Sequence, residues 1–422
     1  MKFHSILFGV LTAAAVNSAI AAEGPVPQGM PHLDHVFVVM MENHGYSQVV
    51  NNPSVPYINT LTGLANTATN YFAIGHPSLT NYLEVVGGSN FDVQSDNNPD
   101  WHNFYCLPNL VTKATSTDNP ATPAICPIFG SGTDAATPAV DTTNETTGAP
   151  GENNIDGIQS IPAAGNTSGK TIADQLAEMG GTWKSYQESM PPQGADGVNT
   201  SDGVYTDGTN FSLIMPTLTP PLTSGDLVAL YASKHNPFVY FRSIQEGDIP
   251  GSDLSNTAGF DGADGLYADL AAGTIPTYSF IAPNQCNDQH GRGNAGAVCN
   301  YDPTDNGTQA GLNPALMQRG DVAVKQIVTA IEKSPAWKQG KNAVVILWDE
   351  NDYSLAPNVN KVLVIVDTNY GTHGVQSNTA YNHFSLLKSI EGALGLPCLN
   401  HACDSTVNVM SDLFGTSFPQ QE

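Results

Sequence analysis

Three short polar segments carry the side chains in this sequence that are best suited to chemistry. Each segment directly follows a run of apolar residues. The segments contain Glu42 and Asn43, Asp288 and His290, and Asp349 and Glu350. Unbroken apolar runs such as 36–41 and 343–348 predict strands that are buried on both faces of a parallel sheet. Because ligands bind at the carboxyl edge of such a sheet, we expect the three segments to meet there.

Oxygen atoms dominate the first and third segments. The oxygen donors are Glu42, Asn43, Asp349 and Glu350. Carboxylate and amide oxygens favour hard cations, so the pattern predicts one divalent ion, with Ca²⁺, Mg²⁺ or Mn²⁺ favoured over Zn²⁺. Two adjacent carboxylates at the end of an apolar strand would also repel each other without a cation. The alternative is that these residues form acidic turns or helix caps after core strands.

Ser78 begins a predicted helix. It follows Pro77, and the helical apolar face includes Leu79 and Leu83. A hydroxyl near a divalent cation has a lowered pKa and becomes a nucleophile, while a helix start attracts anions through its backbone N–H groups. These features predict attack on a phosphate group. The alternative is that Ser78 only caps the helix.

Histidines near the predicted sheet edge are candidates for the general acid that protonates a leaving group. The candidates are His290, His235 and His383. Each of them has an alternative interpretation as a buried, hydrogen-bonded histidine or as a loop histidine.

Apolar runs alternate with helical patterns along most of the chain. Strands are predicted at 36–41, 182–186, 237–241, 277–281, 343–348 and 362–366, and helices at 56–68, 168–179, 222–234, 263–272, 314–333 and 379–394. Such alternation predicts a mostly parallel sheet with helices on both faces. Residues 92–168 are rich in Asn, Asp, Thr, Pro and Gly, which predicts a polar, lid-like insertion in one domain spanning 23–422.

Composition excludes several classes of partner. The 422 residues contain 14 Lys and Arg against 39 Asp and Glu, for a net charge of −25. This acidity argues against binding to nucleic acid or to anionic membranes. Residues 1–22 have the pattern of a secretory signal peptide, with Lys2, an apolar segment and a cleavage site near Ala21. We therefore expect a secreted or periplasmic protein without a stable membrane anchor.

Six cysteines occur as three pairs that are close in sequence. An even number in an exported chain indicates disulfides. Fifteen connectivities are possible, and proximity favours Cys106–Cys126, Cys286–Cys299 and Cys398–Cys403.

Six segments share residue patterns with one known family. They are VMMENHGY, GHPSLTNYLEVVGG, KHNPFVYF, CNDQHG, VVILWDEND and YNHFSLLKSIEGALGLP, and they span residues 35–397 in the order that the family shows. In these segments the chain resembles the bacterial and fungal phosphoesterases, which include secreted acid phosphatases and phosphatidylcholine-type phospholipases C. The resemblance implies a three-layer α/β/α fold of the alkaline-phosphatase-like superfamily.

The resemblance also implies roles for individual residues. It places one metal ion on the four oxygen donors at the strand ends, and by analogy it makes Ser78 the nucleophile. Asn81 would bind a phosphate oxygen. The residues Asp288, His235 and His383 would contact substrate, and Asp288, His290 and His383 match only part of the second metal site of the superfamily.

The expected activity is hydrolysis of a small phosphate ester. The chain ends at residue 422 without the C-terminal β-domains of phospholipase-C-like relatives, which favours an acid phosphatase. A phosphodiesterase or phospholipase C is the alternative enzyme. A catalytically silent exported binding protein of the same fold is the alternative outside enzymes. The sequence does not indicate an oligomeric state.

Overall fold

A nine-stranded sheet lies at the centre of the described part of the chain. The structure is a computed structural model, and it describes residues 23–91, 169–190, 230–241, 243–244, 247–291, 313–351 and 360–415. The strands are β1 (His35–Met41), β2 (Asn66–Phe72), β3 (Trp183–Gln187), β4 (Thr257–Ala258), β5 (Tyr278–Ala282), β6 (Asn342–Trp348), β7 (Lys361–Thr368), β8 (Gln376–Ser377) and β9 (Tyr381–Asn382). Their order is β4-β3-β5-β1-β6-β7-β2-β8, and β9 pairs with β2. The predicted signal peptide, the insertion and the Cys106–Cys126 pair lie outside the described residues.

Most strand pairs are parallel. Among the described strands, β7 alone runs against its two neighbours, β6 and β2. Strand β1 lies between β5 and β6, with Val39 beside both Ile281 and Ile346. The carboxyl ends of β5, β1 and β6 are therefore adjacent, as the sequence predicts.

Helices cover both faces of the sheet. The helices are α1 (Tyr46–Val49), α2 (Pro56–Leu64), α3 (Ser78–Gly87), α4 (Ile172–Glu178), α5 (Leu266–Ala272), α6 (Pro314–Lys333) and α7 (His383–Leu394). Phe37 packs against Trp337, next to α6, whereas Phe280 on the other face packs against Tyr82 of α3. Helices α3, α4 and α7 group on one side and α2, α5 and α6 on the other. The predicted three-layer α/β/α fold is confirmed.

One predicted element is wrong in length and two are wrong in type. The described end of the helix predicted at 222–234 is a 3₁₀ helix, Ser233–His235. The helix predicted at 56–68 ends at Leu64, and its last residues belong to strand β2. The strand predicted at 237–241 is a 3₁₀ helix, Pro237–Tyr240. Phe238 of this turn packs on Trp183 and Phe280. The segment is apolar because it is buried, and not because its backbone is extended. Pro237 also has no N–H to donate to a neighbouring strand.

Three of the six cysteines, Cys286, Cys398 and Cys403, lie among the described residues. Cys398 and Cys403 are bonded, which confirms that pair. Cys286 is also in a disulfide. Its predicted partner, Cys299, lies outside the described residues. No helix among the described residues combines the length and apolarity that a bilayer crossing needs.

A carboxylate from another helix caps the start of α2. The N-cap residue Val55 supplies no side-chain bond. Instead Asp321 of α6 accepts hydrogen bonds from the backbone N–H groups of Tyr57 (3.1 Å) and Ile58 (2.8 Å). Asp321 therefore satisfies two donors that a helix start otherwise leaves open, and it ties α2 to α6.

We expect Asp321→Ala to lower the free energy of unfolding by about 1 kcal/mol or more, the usual cost of a lost N-cap. Asp321→Asn retains one acceptor oxygen and should lose less. Urea unfolding of the three proteins measures the difference. Equal stability of Asp321→Ala and the unchanged protein would show that this cap does not hold α2.

Glu391 is a buried carboxyl far along α7. Its Oε1 accepts the Leu399 N–H at 2.9 Å, and its Oε2 has no hydrogen-bond partner among the described residues. Burial raises the pKa of Glu391 well above 4.5. The folded protein therefore keeps this proton at pH values where the unfolded chain releases it, so the stability it contributes is lost as the pH rises above 4.5.

We expect Glu391→Gln to melt at a higher temperature than the unchanged protein near neutral pH, because the amide needs no proton to be buried. The difference should vanish below the ordinary glutamate pKa of 4.5. Glu178→Gln, which removes a half-exposed acid, serves as the charge control. A melting-temperature difference that does not change with pH would contradict this assignment.

Candidate active site

The loop between β2 and α3 places Ser78 at the carboxyl edge of the sheet. The Asn81 side chain organises this loop. Its Oδ1 accepts the N–H groups of Ile74 (3.1 Å) and Gly75 (3.2 Å), and its Nδ2 donates to the Gly75 carbonyl (2.8 Å). Helix α3 begins at Ser78 with Pro77 as its N-cap residue. The Ser78 hydroxyl therefore does not cap the helix, and the cap-only interpretation is wrong.

The Ser78 hydroxyl lies between two buried carboxylates. Its Oγ is 3.1 Å from Glu42 Oε2 and 3.3 Å from Glu350 Oε1. None of the three residues is more than 1% exposed. The hydroxyl has one proton and two carboxylate acceptors at similar distances. Either carboxylate is therefore placed to accept that proton.

Each of these carboxylates is held by further donors. Tyr82 donates its O–H to Glu42 Oε1 at 2.7 Å, and His235 Nε2 lies 3.0 Å from the same oxygen. Glu350 Oε2 accepts from Asn81 Nδ2 at 3.1 Å and lies 2.9 Å from His76 Nδ1. The rings of Tyr82 and His235 stack at 5.2 Å. The outer oxygens, Glu42 Oε1 and Glu350 Oε2, are thus held by these neighbours. The inner oxygens, Glu42 Oε2 and Glu350 Oε1, face the Ser78 hydroxyl.

Asp349 differs from its two neighbours. It is fully buried, and neither carboxylate oxygen has a hydrogen-bond partner in the part of the chain that the structure describes. Burial raises the pKa of Asp349 well above its usual range, and the charges of Glu42 and Glu350 raise it further. A buried carboxylate without donors is costly, and either a proton or a cation relieves that cost.

Asp288 approaches the cluster from the β5 loop. Its backbone carbonyl accepts the Glu42 N–H at 2.9 Å, and its Oδ1 accepts the His290 N–H at 2.8 Å. His235 Nδ1 lies 3.5 Å from Asp288 Oδ2. Burial, followed by the charge of Glu42, raises the pKa of Asp288 well above its usual range. The His235 ring therefore lies between the Asp288 and Glu42 carboxylates.

His290 lies at the edge of this cluster and is only partly buried. Its ring centre is 6.4 Å from that of His235. Its Nδ1 donates to the Gly291 carbonyl at 2.7 Å. Proton exchange with a substrate would therefore use Nε2 of His290.

His383 supports the cluster from behind. Its Nε2 donates to the Asp349 carbonyl at 2.7 Å, so its Nδ1 must accept the Tyr71 O–H at 3.0 Å. Burial lowers the pKa of His383 to about 4, which keeps the ring neutral. With both nitrogens hydrogen-bonded and no exposed surface, His383 holds the Asp349 backbone in place in this structure, and its substrate contact stays a prediction.

Asn81 also supports other residues of the cluster. Its four hydrogen-bonding positions serve the loop before Ser78 and the Glu350 carboxylate. In this structure it therefore holds the loop and the Glu350 carboxylate in place, and its contact with a phosphate oxygen stays a prediction. Asn43 is buried directly after Glu42, as the sequence predicts.

The described residues contain no preformed set of three acidic, His or Cys side chains in metal-ligating geometry. The donor chemistry nevertheless fits a hard cation. Glu42 and Glu350 flank the Ser78 hydroxyl. Asp349 brings two carboxylate oxygens without hydrogen-bond donors among the described residues to the same edge of the sheet. These ligands are all oxygen, as Ca²⁺, Mg²⁺ and Mn²⁺ prefer.

Three residues of the cluster were missed from the sequence. His76 precedes Ser78 by two residues. Tyr82 follows Ser78 by one helical turn, a spacing that places the Ser78 and Tyr82 side chains on one face of α3. That spacing was the available signal for Tyr82. Lys234 is buried, and its positive charge offsets a small part of the rise in the pKa values of Asp288 and Asp349. Its position before His235 gave no comparable signal.

Gln289 connects the β5 loop to β6 and α6. It has a positive φ of 84°, and its Oε1 accepts the Trp348 indole N–H at 2.9 Å. Its Nε2 donates to the Met317 carbonyl at 3.1 Å. A methyl group at Gly320 would overlap the Gln289 side chain. The glycine therefore makes room for the contact that holds Asp288 and His290 beside Asp349.

We expect Gly320→Ala to destabilise the protein by about 1–3 kcal/mol through this overlap. In a Gln289→Ala background the same change should be neutral or stabilise by up to about 1 kcal/mol, since alanine favours helices. Urea unfolding of the four proteins in this cycle measures the coupling. Additive effects of the two substitutions would contradict the proposed packing.

Comparisons with known proteins identify relatives of this chain. A sequence model of the Phosphoesterase family matches residues 50–300, more than half of the chain. A probable acid phosphatase of Kluyveromyces lactis is 23% identical over 378 residues, covering 89% of this chain and 61% of that protein. The phosphatidylinositol-3-phosphatase of Mycobacterium tuberculosis is 22% identical over 414 residues, covering 97% and 93%.

An Aspergillus fumigatus acid phosphatase is 22% identical and covers 92% of this chain and 61% of its own length. The chain thus spans about three fifths of these two fungal relatives. Solved structures with a similar fold include a protein of the alkaline phosphatase superfamily from Vibrio parahaemolyticus. Its TM-score is 0.43 at 11% identity, with 90% of this chain and 71% of that chain covered.

Proposed function

Because this chain belongs to the Phosphoesterase family, we propose that it hydrolyses phosphate monoesters as an acid phosphatase does, with Ser78 as its nucleophile. The observation that supports this proposal best is the position of Ser78 Oγ between the Glu42 and Glu350 carboxylates. The acid phosphatase names of the fungal relatives point to the same reaction. The relative from Mycobacterium tuberculosis, which the chain covers almost fully, is also named as a phosphatase.

The proposed reaction has two steps. Ser78 Oγ forms a bond to phosphorus as its proton passes to Glu42 or Glu350, and the ester P–O bond breaks. The alcohol leaves with a proton from a general acid. Water then attacks the phosphoserine and gives a proton to the deprotonated general acid. The Ser78 Oγ–P bond breaks, inorganic phosphate leaves, and Ser78 takes its proton back from the carboxylate. The start of the ten-residue helix α3 favours the negative charge of the phosphate at this position.

The general acid in this proposal is His290. Its Nδ1 is committed to the Gly291 carbonyl, so a protonated ring would present Nε2 to the leaving oxygen. His290 is also less buried than His235, whose two nitrogens face the carboxylates of Glu42 and Asp288. His235 would instead hold those carboxylates in place.

One divalent cation completes the proposed site. Asp349, Glu42, Glu350 and Asn43 would hold it. When bound, it supplies positive charge that offsets the buried carboxylates, attracts phosphate and lowers the pKa of a neighbouring hydroxyl. His383 and Tyr71 would keep the Asp349 backbone in position for this role.

We also infer that the protein is exported. The sequence of residues 1–22 has a signal-peptide pattern. The bonded pair Cys398–Cys403 and the bonded Cys286 fit an oxidising compartment.

We expect the purified protein to hydrolyse p-nitrophenyl phosphate faster than bis-p-nitrophenyl phosphate or phosphatidylcholine, and to lose this activity after treatment with EDTA. Initial rates with and without the chelator measure both effects. Faster release from phosphatidylcholine would favour a phospholipase C. Turnover of none of the three substrates would favour a catalytically silent binding protein.

We expect Ser78→Ala to reduce turnover by several orders of magnitude and to abolish phosphoenzyme, because the loss of a nucleophile is poorly compensated. The melting temperature should fall only modestly: the helix cap at Pro77 is kept, and the cost is the donor that the Glu42 and Glu350 carboxylates lose. Ser89→Ala, which removes a buried hydroxyl beyond the other end of α3, is the matched control. Turnover of Ser78→Ala near that of Ser89→Ala would place the nucleophile elsewhere.

A further inference from the structure

A cavity of about 250 Å³ opens between the end of β2, the start of α7 and the loop at 406–408. Its lining residues are Phe72, Ala73, Ile74, Ala380, Tyr381, Asn382, Ser385, Thr406, Val407 and Asn408. The inner wall is buried, and Ala380, Thr406 and Asn408 form an exposed rim. The cavity is therefore accessible from solvent at its rim and closed by the core beneath.

Two walls of the cavity are bonded to the catalytic cluster. The Ile74 N–H donates to Asn81 Oδ1, and Asn81 Nδ2 donates to Glu350, which flanks Ser78. On the other wall, Asn382 immediately precedes His383, whose Nε2 donates to the Asp349 carbonyl. Strand β9 also runs parallel to β2, so both walls reach the same sheet edge as Ser78. Ile74 precedes Ser78 by only four residues, so one short loop joins the cavity wall to the serine.

The lining chemistry defines what the cavity accepts. None of the ten lining residues is charged. Phe72, Ile74, Tyr381 and Val407 supply apolar surface, which is suited to carbon. Asn382 uses its Oδ1 on the N–H and O–H groups of Ser385, which leaves its Nδ2 as a donor. The cavity therefore suits an uncharged group with an apolar face.

The size of the cavity also limits its ligand. Sites that enclose a whole drug-sized ligand measure about 300–1,000 Å³. This cavity, at about 250 Å³, is smaller. It matches one part of a substrate, such as a single or fused ring.

We propose that this cavity binds the uncharged alcohol portion of the phosphate ester and sets the preference of the enzyme for that portion. The inference rests on the proposed phosphatase function, because it assigns the phosphate to Ser78. Residues of the rim and wall, Thr406 and Val407 among them, are specificity-determining in this account, and none of them takes part in bond making.

The test compares two monoesters that differ only in their alcohol, 1-naphthyl phosphate and methyl phosphate. Thr406→Trp and Ala380→Trp add bulk to opposite sides of the rim. Both positions are exposed, so the core packing is not altered. Ser405→Trp adds the same bulk at an exposed neighbour that does not line the cavity. Melting temperatures confirm that all variants fold.

We expect each rim variant to lower the ratio of kcat/KM for naphthyl over methyl phosphate by about tenfold or more, mainly through KM for the naphthyl ester. Ser405→Trp should keep the ratio of the unchanged protein. Equal ratios in all four proteins, or an equal shift in the control, would overturn the cavity assignment while leaving the phosphatase proposal intact. An unchanged protein that hydrolyses neither ester would instead refute the phosphatase proposal and the cavity role that depends on it.

Discussion

The burial of acidic side chains at the adjacent ends of β1 and β6 is the constraint on which the rest of the site depends. Glu42 ends one strand, and Asp349 and Glu350 end the other, in a register fixed by the parallel ladder between them. The Asp349 N–H donates to the Met41 carbonyl, so the ladder continues to the last residue before the carboxylates. The backbone therefore brings like charges together, and the surrounding residues must offset their repulsion.

The protein supplies those compensating groups unevenly. Tyr82, His235, His76 and Asn81 serve the outer oxygens of Glu42 and Glu350, while Ser78 shares its proton between the inner ones. Asp349 receives no donor to its carboxylate among the described residues, although its backbone is held by His383. Ser78 is thus hydrogen-bonded to two carboxylates, while the Asp349 carboxylate has no donor in the described part of the chain. The proposed nucleophile and the proposed cation site both rest on this arrangement.

The sequence predicted the sheet and the polar strand ends, because uninterrupted apolar runs and the residues after them are local features. It did not predict strand β2, whose Asn66, Thr67 and Asn70 lack an apolar pattern and which pairs with distant residues. The roles of Asn81 and His383 were also inaccessible. Whether an amide or an imidazole binds substrate or supports a carboxylate depends on partners far away in sequence, such as Glu350 and Asp349, and residue type alone does not choose between them.

Titration calorimetry of the EDTA-treated protein with Mn²⁺ tests whether Asp349 and its neighbours form the proposed cation site. We expect one ion per chain for the unchanged protein. We expect at least about tenfold weaker binding for Asp349→Asn, which removes a carboxylate ligand without changing shape. Glu178→Gln, a change to a surface acid, should bind as the unchanged protein does. Equal Mn²⁺ affinity of Asp349→Asn and Glu178→Gln would contradict the proposed cation site.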